Sequence, residues 1–101
     1  MAFLCLLEFE LHLPDNGDLK GKRKQLQSLK SHLQRRYGAA VAETDHHDLW
    51  QRATLATALV GRERRGLEET ADGMQRFVDA RFGDWVKWER TVVSTAELKE
   101  V

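Results

Sequence analysis

Phe3-Leu4-Cys5-Leu6-Leu7-Glu8-Phe9-Glu10-Leu11-His12-Leu13 sets the architecture of the chain. Phe3, Cys5, Leu7, Phe9, Leu11 and Leu13 repeat at every second position, the period that puts them on one face of a β-strand. The other face carries Leu4, Leu6, Glu8, Glu10 and His12. A core face that is apolar without a break suits a strand at the centre of a sheet. Pro14-Asp15-Asn16-Gly17 then ends the strand.

Asp18 follows as a helix N-cap, and the spacing predicts a helix to about Arg36, with Gly38 just beyond it. At about 100° per residue, Leu19, Leu26, Leu29, Leu33 and Tyr37 fall on one side. Lys20, Lys24 and Arg35 project from the opposite side, while Arg23 and Lys30 flank the apolar sector. Lys22 points into that sector, where an ammonium must snorkel past the edge or find a carboxylate. Ala39 to Asp45 is expected to form a short second strand, and Ala53 to Val60 a third, ended by Gly61. Glu63 to Phe82 has the 3-4-3 spacing of a second helix, through Leu67, Thr70, Ala71, Met74, Phe77, Val78 and Phe82. Gly66 and Gly73 weaken it by up to ~1 kcal/mol each unless packing demands them. Gly83-Asp84 turns the chain into a fourth strand, Trp85 to Val93, in which Val86, Trp88 and Val92 share a face. Residues 94–101 carry no clear element and are read as a tail free to flex.

The order β-α-β-β-α-β predicts an α+β fold: a ferredoxin-like sandwich with two helices on one face of a four-stranded antiparallel sheet. Right-handed crossovers place strands one and three at its centre. The 101 residues suffice for one domain and one modest core. A single cysteine excludes an internal disulfide framework and suits a reducing compartment. Ala2 to Leu7 has no basic segment before it, and no run approaches the ~18 apolar residues of a membrane span. A cytoplasmic protein without a membrane partner is therefore expected. Charge is distributed unevenly although the net is zero: Asp18 to Tyr37 holds seven Lys or Arg and one acid. Such an excess can mark a surface that meets an anionic partner.

The densest group of chemically able side chains lies between Ala42 and Ala53. Glu43, Asp45 and His47 would share one strand face and suggest a metal site, but no second His or Cys cluster completes a ligand shell. The alternative is a hairpin in which Asp45 or Asp48 caps the turn, Trp50 covers a sheet end and Arg52 pairs with an acid. The hairpin is the better reading, so no metal is expected. Cys5 falls on the buried face, where a thiol is inert. Ser28, Ser31 and Ser94 lack the frame of an activated hydroxyl, and no phosphate or dinucleotide loop is present. Neither catalysis, nor a cofactor, nor a small-molecule substrate is indicated.

Two kinds of partner are open. Glu8 and Glu10 on the free sheet face would repel phosphate, and strand three offers no aromatic for base stacking, so RNA would not meet the sheet. It would meet the first helix, through Lys20, Arg23, Lys24, Lys30, Arg35 and Arg36. Against this stands a merely solvated basic face. Leu4 and Leu6 leave apolar surface on the open face that the C-terminal tail or a second subunit could cover, the latter as a homodimer joined through sheet face or edge.

These residues also resemble a family. Leu19-Lys20-Gly21-Lys22-Arg23, followed by Leu26 and Leu29, resembles the LK-x-KR helix start of the YlxP-like family, a bacterial domain of unknown function of the DUF503 type. Val41-Ala42-Glu43-Thr44-Asp45-His46-His47-Asp48-Leu49-Trp50-Gln51-Arg52-Ala53 is similar to its VAE-x-D-x-x-DLWQRA signature. Trp88-Glu89-Arg90 resembles the aromatic-Glu-Arg of its last strand. The likeness spans nearly the whole chain and implies a ferredoxin-like fold. Through the family's placement among translation and ribosome-maturation genes, it implies a role near ribosomal RNA or a ribosomal particle. It brings no catalytic residues, and Glu43, Asp45, Asp48, Trp50, Gln51 and Arg52 are expected to serve structure. Gly21 stands where the family tends to carry an acid or another polar residue, and is expected to loosen the first turn.

Overall fold

A computed structural model describes residues 1–83 and 86–100. The elements are β1 (Phe3–His12), α1 (Leu19–Tyr37), β2 (Ala40–Asp45), β3 (Arg52–Gly61), α2 (Arg64–Phe82), β4 (Lys87–Ser94) and α3 (Thr95–Lys99). The strands form one antiparallel sheet in the order β2-β3-β1-β4, with β1 and β3 at the centre. This is the ferredoxin-like arrangement that the alternation in β1 and the element order predict.

The core forms where the period-two face of β1 meets the 3.6-period stripes of the helices. Cys5, Leu7, Phe9 and Leu11 pack with Leu55 and Leu59 of β3, Leu29 and Leu33 of α1, and Met74 and Val78 of α2. Each such side chain, fully buried, stabilises the fold by about 2 kcal/mol. Thr57 also faces the core, and its hydroxyl is satisfied by donating to the Leu7 carbonyl at 3.0 Å. Asp18 caps α1, accepting from the Gly21 amide at 2.6 Å. Gly38 closes the helix in the left-handed region at φ 68°, with its N–H on the Gln34 carbonyl. Gly73 of α2 faces Tyr37, whose hydroxyl donates to its carbonyl at 3.3 Å, but an added Cβ would meet that ring at an ordinary 3.6 Å, so packing does not demand a glycine there.

The C-terminal end departs from expectation. The described residues after Ser94 are not a loose tail: Thr95–Lys99 is a short helix held by a capping box. The Ser94 hydroxyl accepts from the Glu97 amide while the Glu97 carboxylate accepts from the Ser94 amide. The Thr95 N–H then binds the Ala2 carbonyl at 2.9 Å, tying α3 to the start of β1. The expected turn at Asp84 and strand start at Trp85 lie outside the described residues; β4 is seen from Lys87. Val86, Trp88 and Val92 pack on the core together, with the Trp88 and Phe9 rings 4.5 Å apart.

The register divides the open sheet face into two halves. At one end Leu4 lies between Val60 and Val93, and Leu6 beside Ala58, which pairs with Ala40. Toward the other end Glu8 pairs with Glu89, and Glu10 with Lys87. No helix among the described residues is long and apolar enough to cross a membrane.

Candidate functional site

Two features of the helix-bearing side carry most of the chain's polar chemistry, and a single buried lysine joins them. Lys22 is 2% exposed, within the apolar sector of α1 where the helical spacing put it. Its ammonium donates to the His46 carbonyl at 2.6 Å and the Leu49 carbonyl at 2.7 Å, and lies 3.0 Å from Glu43 Oε2. Of the two outcomes open to a lysine there, it takes the carboxylate. Glu43 is largely buried as well, and its Oε2 accepts no well-directed hydrogen bond, so charge rather than geometry holds the pair.

The hairpin between β2 and β3 is shaped around that ammonium. His46 adopts φ 63°, which a non-glycine residue takes only under local constraint. Its carbonyl accepts both from Lys22 and, at 3.1 Å, from the Leu49 amide. Asp45 Oδ1 accepts from the His46 amide at 2.7 Å, which makes Asp45 the turn-capping acid. The His46 Nδ1 contacts Thr54 Oγ1 at 2.7 Å, and the His47 Nε2 contacts the Glu43 carbonyl at 3.2 Å. A β-bulge between Glu43 and Asp45 sets Glu43 opposite Leu55 on the core side and Asp45 opposite Thr54. Glu43, Asp45 and His47 therefore do not share the strand face on which a metal reading depends. No group of three or more His, Cys, Asp or Glu among the described residues is placed to hold a metal.

The β1–α1 loop is pinned to the same hairpin. Asn16 is buried, and its Nδ2 donates to the Asp18 carbonyl at 2.7 Å and to the Trp50 carbonyl. The Leu13 amide binds the Gln51 carbonyl at 2.7 Å, and Gln51 Nε2 reaches the Pro14 carbonyl. Gly21 is required here rather than merely tolerated. A Cβ on it would lie 2.5 Å from Asn16 Oδ1 and 2.9 Å from Asp18 Oδ1. The expected loosening of the first turn is thus wrong: Gly21 lets two capping side chains close over the helix start. Trp50 is 49% exposed. What it supplies to the latch is its carbonyl. Asp48 is exposed beside it. Arg52 donates through Nε and Nη2 to Glu10 Oε1, with Nε at 2.9 Å. That hydrogen bond holds the Glu10 carboxyl below the ordinary carboxylate range.

The second feature is the cationic side of α1. Lys20, Arg23, Lys24, Arg35 and Arg36 are exposed and Lys30 is half-buried. They do not form one cluster: Lys20, Lys24 and Arg35 make an outward stripe, Arg23 and Lys30 lie on one flank, and Arg36 lies on the other. The ion pairs among the described residues are Lys22–Glu43, Arg52–Glu10, Arg64–Glu68, Arg65–Glu69 and Arg90–Asp72. None of the six surface cations of α1 is in that set. Arg81 of α2 was not singled out by its sequence. It reaches toward α1 and donates to Ser28 Oγ at 3.2 Å. Its place off the buried stripe of α2 was the available signal, but only the antiparallel pairing of the helices brings it to Ser28. Cys5 is buried in the core, which pushes its thiol up and disfavours the thiolate.

With the geometry in place, comparison with known proteins adds the following. A family model described as "Protein of unknown function (DUF503)" matches residues 4–90. The "Uncharacterized protein YlxP" of Bacillus subtilis (strain 168) is 28% identical over 88 residues, which cover 87% of this chain and 91% of that protein. Among solved structures, "De novo designed protein Foldit4" superposes with a TM-score of 0.62 at 6% identity, covering 94% of this chain and 99% of that one. That likeness is one of fold alone. A designed protein described as having a ferredoxin fold aligns at a TM-score of 0.48 and 12% identity, over 90% of this chain and 85% of that one.

Two substitutions test the latch. Lys22→Met leaves a buried carboxylate and two carbonyls without their cation, and should lower stability by about 3 kcal/mol. The drop will register as a lower urea midpoint at unchanged slope, with faster amide exchange across residues 46–50. Gly21→Ala, which in an ordinary helix interior would stabilise by up to ~1 kcal/mol, should instead destabilise by about 1 kcal/mol or more. Gly66→Ala is the control: no heavy atom lies within 4 Å of its added Cβ, and it should show the ordinary gain.

Proposed function

The chain belongs to the DUF503 family, and we propose that it is a small accessory protein without catalytic chemistry of its own, which binds RNA through the cationic side of α1. The observation that carries this reading is the contrast in pairing between the helices. Arg64 and Arg65 of α2 are each matched to a glutamate one turn on, and Asp72 is matched to Arg90. In α1 the buried Lys22 is the one cation with an ion pair among the described residues, and no acidic residue occurs anywhere in Leu19–Tyr37. Six like charges on one helix repel one another, a cost that an anionic partner relieves. Phosphate is the natural counter-charge, and releasing its condensed ions supplies the affinity.

The sheet face is the poorer candidate for RNA. Glu8, Glu89 and Glu10 occupy adjacent places across β1 and β4. Their carboxylates would repel a backbone, and β3 presents Thr54, Ala56 and Ala58 rather than aromatic rings. Ribosomal RNA, alone or in a ribosomal particle, is the partner that the family resemblance implies. Cytoplasmic residence follows from such a partner.

A second reading has its own observation. Val60 is 74% exposed beside Leu4, at the apolar end of the open face. A homodimer that buries this end would remove that exposure without any nucleic acid.

Lys20→Glu/Lys24→Glu should weaken binding to a structured RNA at least tenfold near 100 mM salt, and lower the slope of log K against log [salt] by about 2. Filter binding or fluorescence anisotropy across a salt series will measure both, and unchanged affinity would sink the RNA reading. Sedimentation over a wide concentration range separates the second reading: a dimer that Val60→Asp dissociates supports it, and a monomer throughout removes it.

A further inference from the structure

We infer that the groove between α1 and α2 is a phosphate-binding site, in which Arg35, Arg36 and Arg81 hold a single phosphomonoester group. The groove is an open depression of about 510 Å³, lined by Ser28, Ser31, His32, Arg35, Arg36 and Arg81. Three guanidinium groups, two hydroxyls and an imidazole thus line a common space, with no carboxylate among the described residues that line it. The guanidinium fork matches phosphate oxygens in pairs, and hydroxyls can donate to whatever oxygen is left.

Two of these groups are fixed in advance. Arg81 donates to Ser28 Oγ at 3.2 Å, and its guanidinium carbon lies 5.5 Å from the Phe82 ring centroid. His32 lies flat on Phe77, with ring centroids 3.8 Å apart and planes at 8°. Side chains already ordered lose little freedom when a ligand arrives. Cations in the last turns of two helices also offset the helix dipoles. That accounts for their place in the sequence, while the Ser28 hydroxyl and the Phe82 ring hold the exposed Arg81 beside α1. Three positive charges in one groove suit the two negative charges of a terminal phosphate better than the single charge of a backbone diester.

The source of the phosphate, though not the site, rests on the RNA reading: a 5′-phosphorylated RNA end is one source and a free phosphate compound the other. The test uses the whole protein, isotope-labelled, titrated at constant ionic strength with inorganic phosphate. Parallel titrations use one RNA oligonucleotide carrying either a 5′-phosphate or a 5′-hydroxyl. Inorganic phosphate should shift the Ser28 and Ser31 amide signals and the Arg81 Nε–H signal saturably. Arg81→Gln should weaken that binding about tenfold at an unchanged thermal midpoint, and Arg81→Lys, which keeps the charge without the fork, should recover only part. No saturable shift, or equal affinity in Arg81→Gln, overturns the site. A preference for the 5′-phosphorylated RNA that Arg81→Gln abolishes identifies an RNA end as the source. Saturable phosphate binding with no RNA binding upholds the groove while the RNA reading falls. RNA binding that depends on Lys20 and Lys24, with phosphate silent, upholds the RNA reading while the groove falls.

Discussion

An ammonium group taken almost wholly out of water is the constraint around which one end of this molecule is arranged. Lys22 cannot leave the apolar sector of α1, because Leu26 and Leu29 on the same stripe are committed to the core. A charge in that position is tolerable only when it is matched and its hydrogen bonds are met. Glu43 from β2 supplies the opposite charge, and the His46 and Leu49 carbonyls supply acceptors. His46 therefore turns into the left-handed region to aim its carbonyl. Asn16 and Gly21 complete the same arrangement from the other side, closing the β1–α1 loop against the hairpin.

A consequence of this latch is that the hairpin tip is held rigidly while its side chains stay outside. Leu49 and Trp50 are 42% and 49% exposed although their carbonyls are fastened. The signature stretch thus earns its residues by two routes, some through the charges and amides that shape the turn and others by standing in water. Electrostatics divide the rest of the surface along the layers of the sandwich. The sheet face carries acids across β1 and β4, α1 carries surface cations that pair with no carboxylate among the described residues, and α2 pairs Arg64, Arg65 and Asp72 within itself or with β4. The proposed RNA surface and the phosphate groove both lie on the helical layer for that reason.

Local patterns made much of this legible in one dimension. The alternation in β1, the stripe in α2 and the Asp18–Gly38 limits of α1 each report a period or a cap. Both are properties of a few adjacent residues. The Ser94-to-Glu97 capping box was equally local, yet five helical residues carry too little periodicity to stand out. Lys22 announced a conflict, a charge in an apolar sector, without naming Glu43 as its resolution. The bulge between Glu43 and Asp45 gave no local sign, because it belongs to the pairing of β2 with β3.

What the residues determine among near neighbours is therefore the element order, the buried faces and the fold class, since hydrophobic periodicity acts within a turn or a strand. Which side chains share a site depends on contacts between distant segments. Lys22 with Glu43, Asn16 with the Trp50 carbonyl, and Arg81 with Ser28 are separated by 21, 34 and 53 positions. Such pairings become visible only when packing has set the distance and direction between elements. A charge or an amide buried by that packing must then take whatever partner the packing brings, or pay its full cost of leaving water.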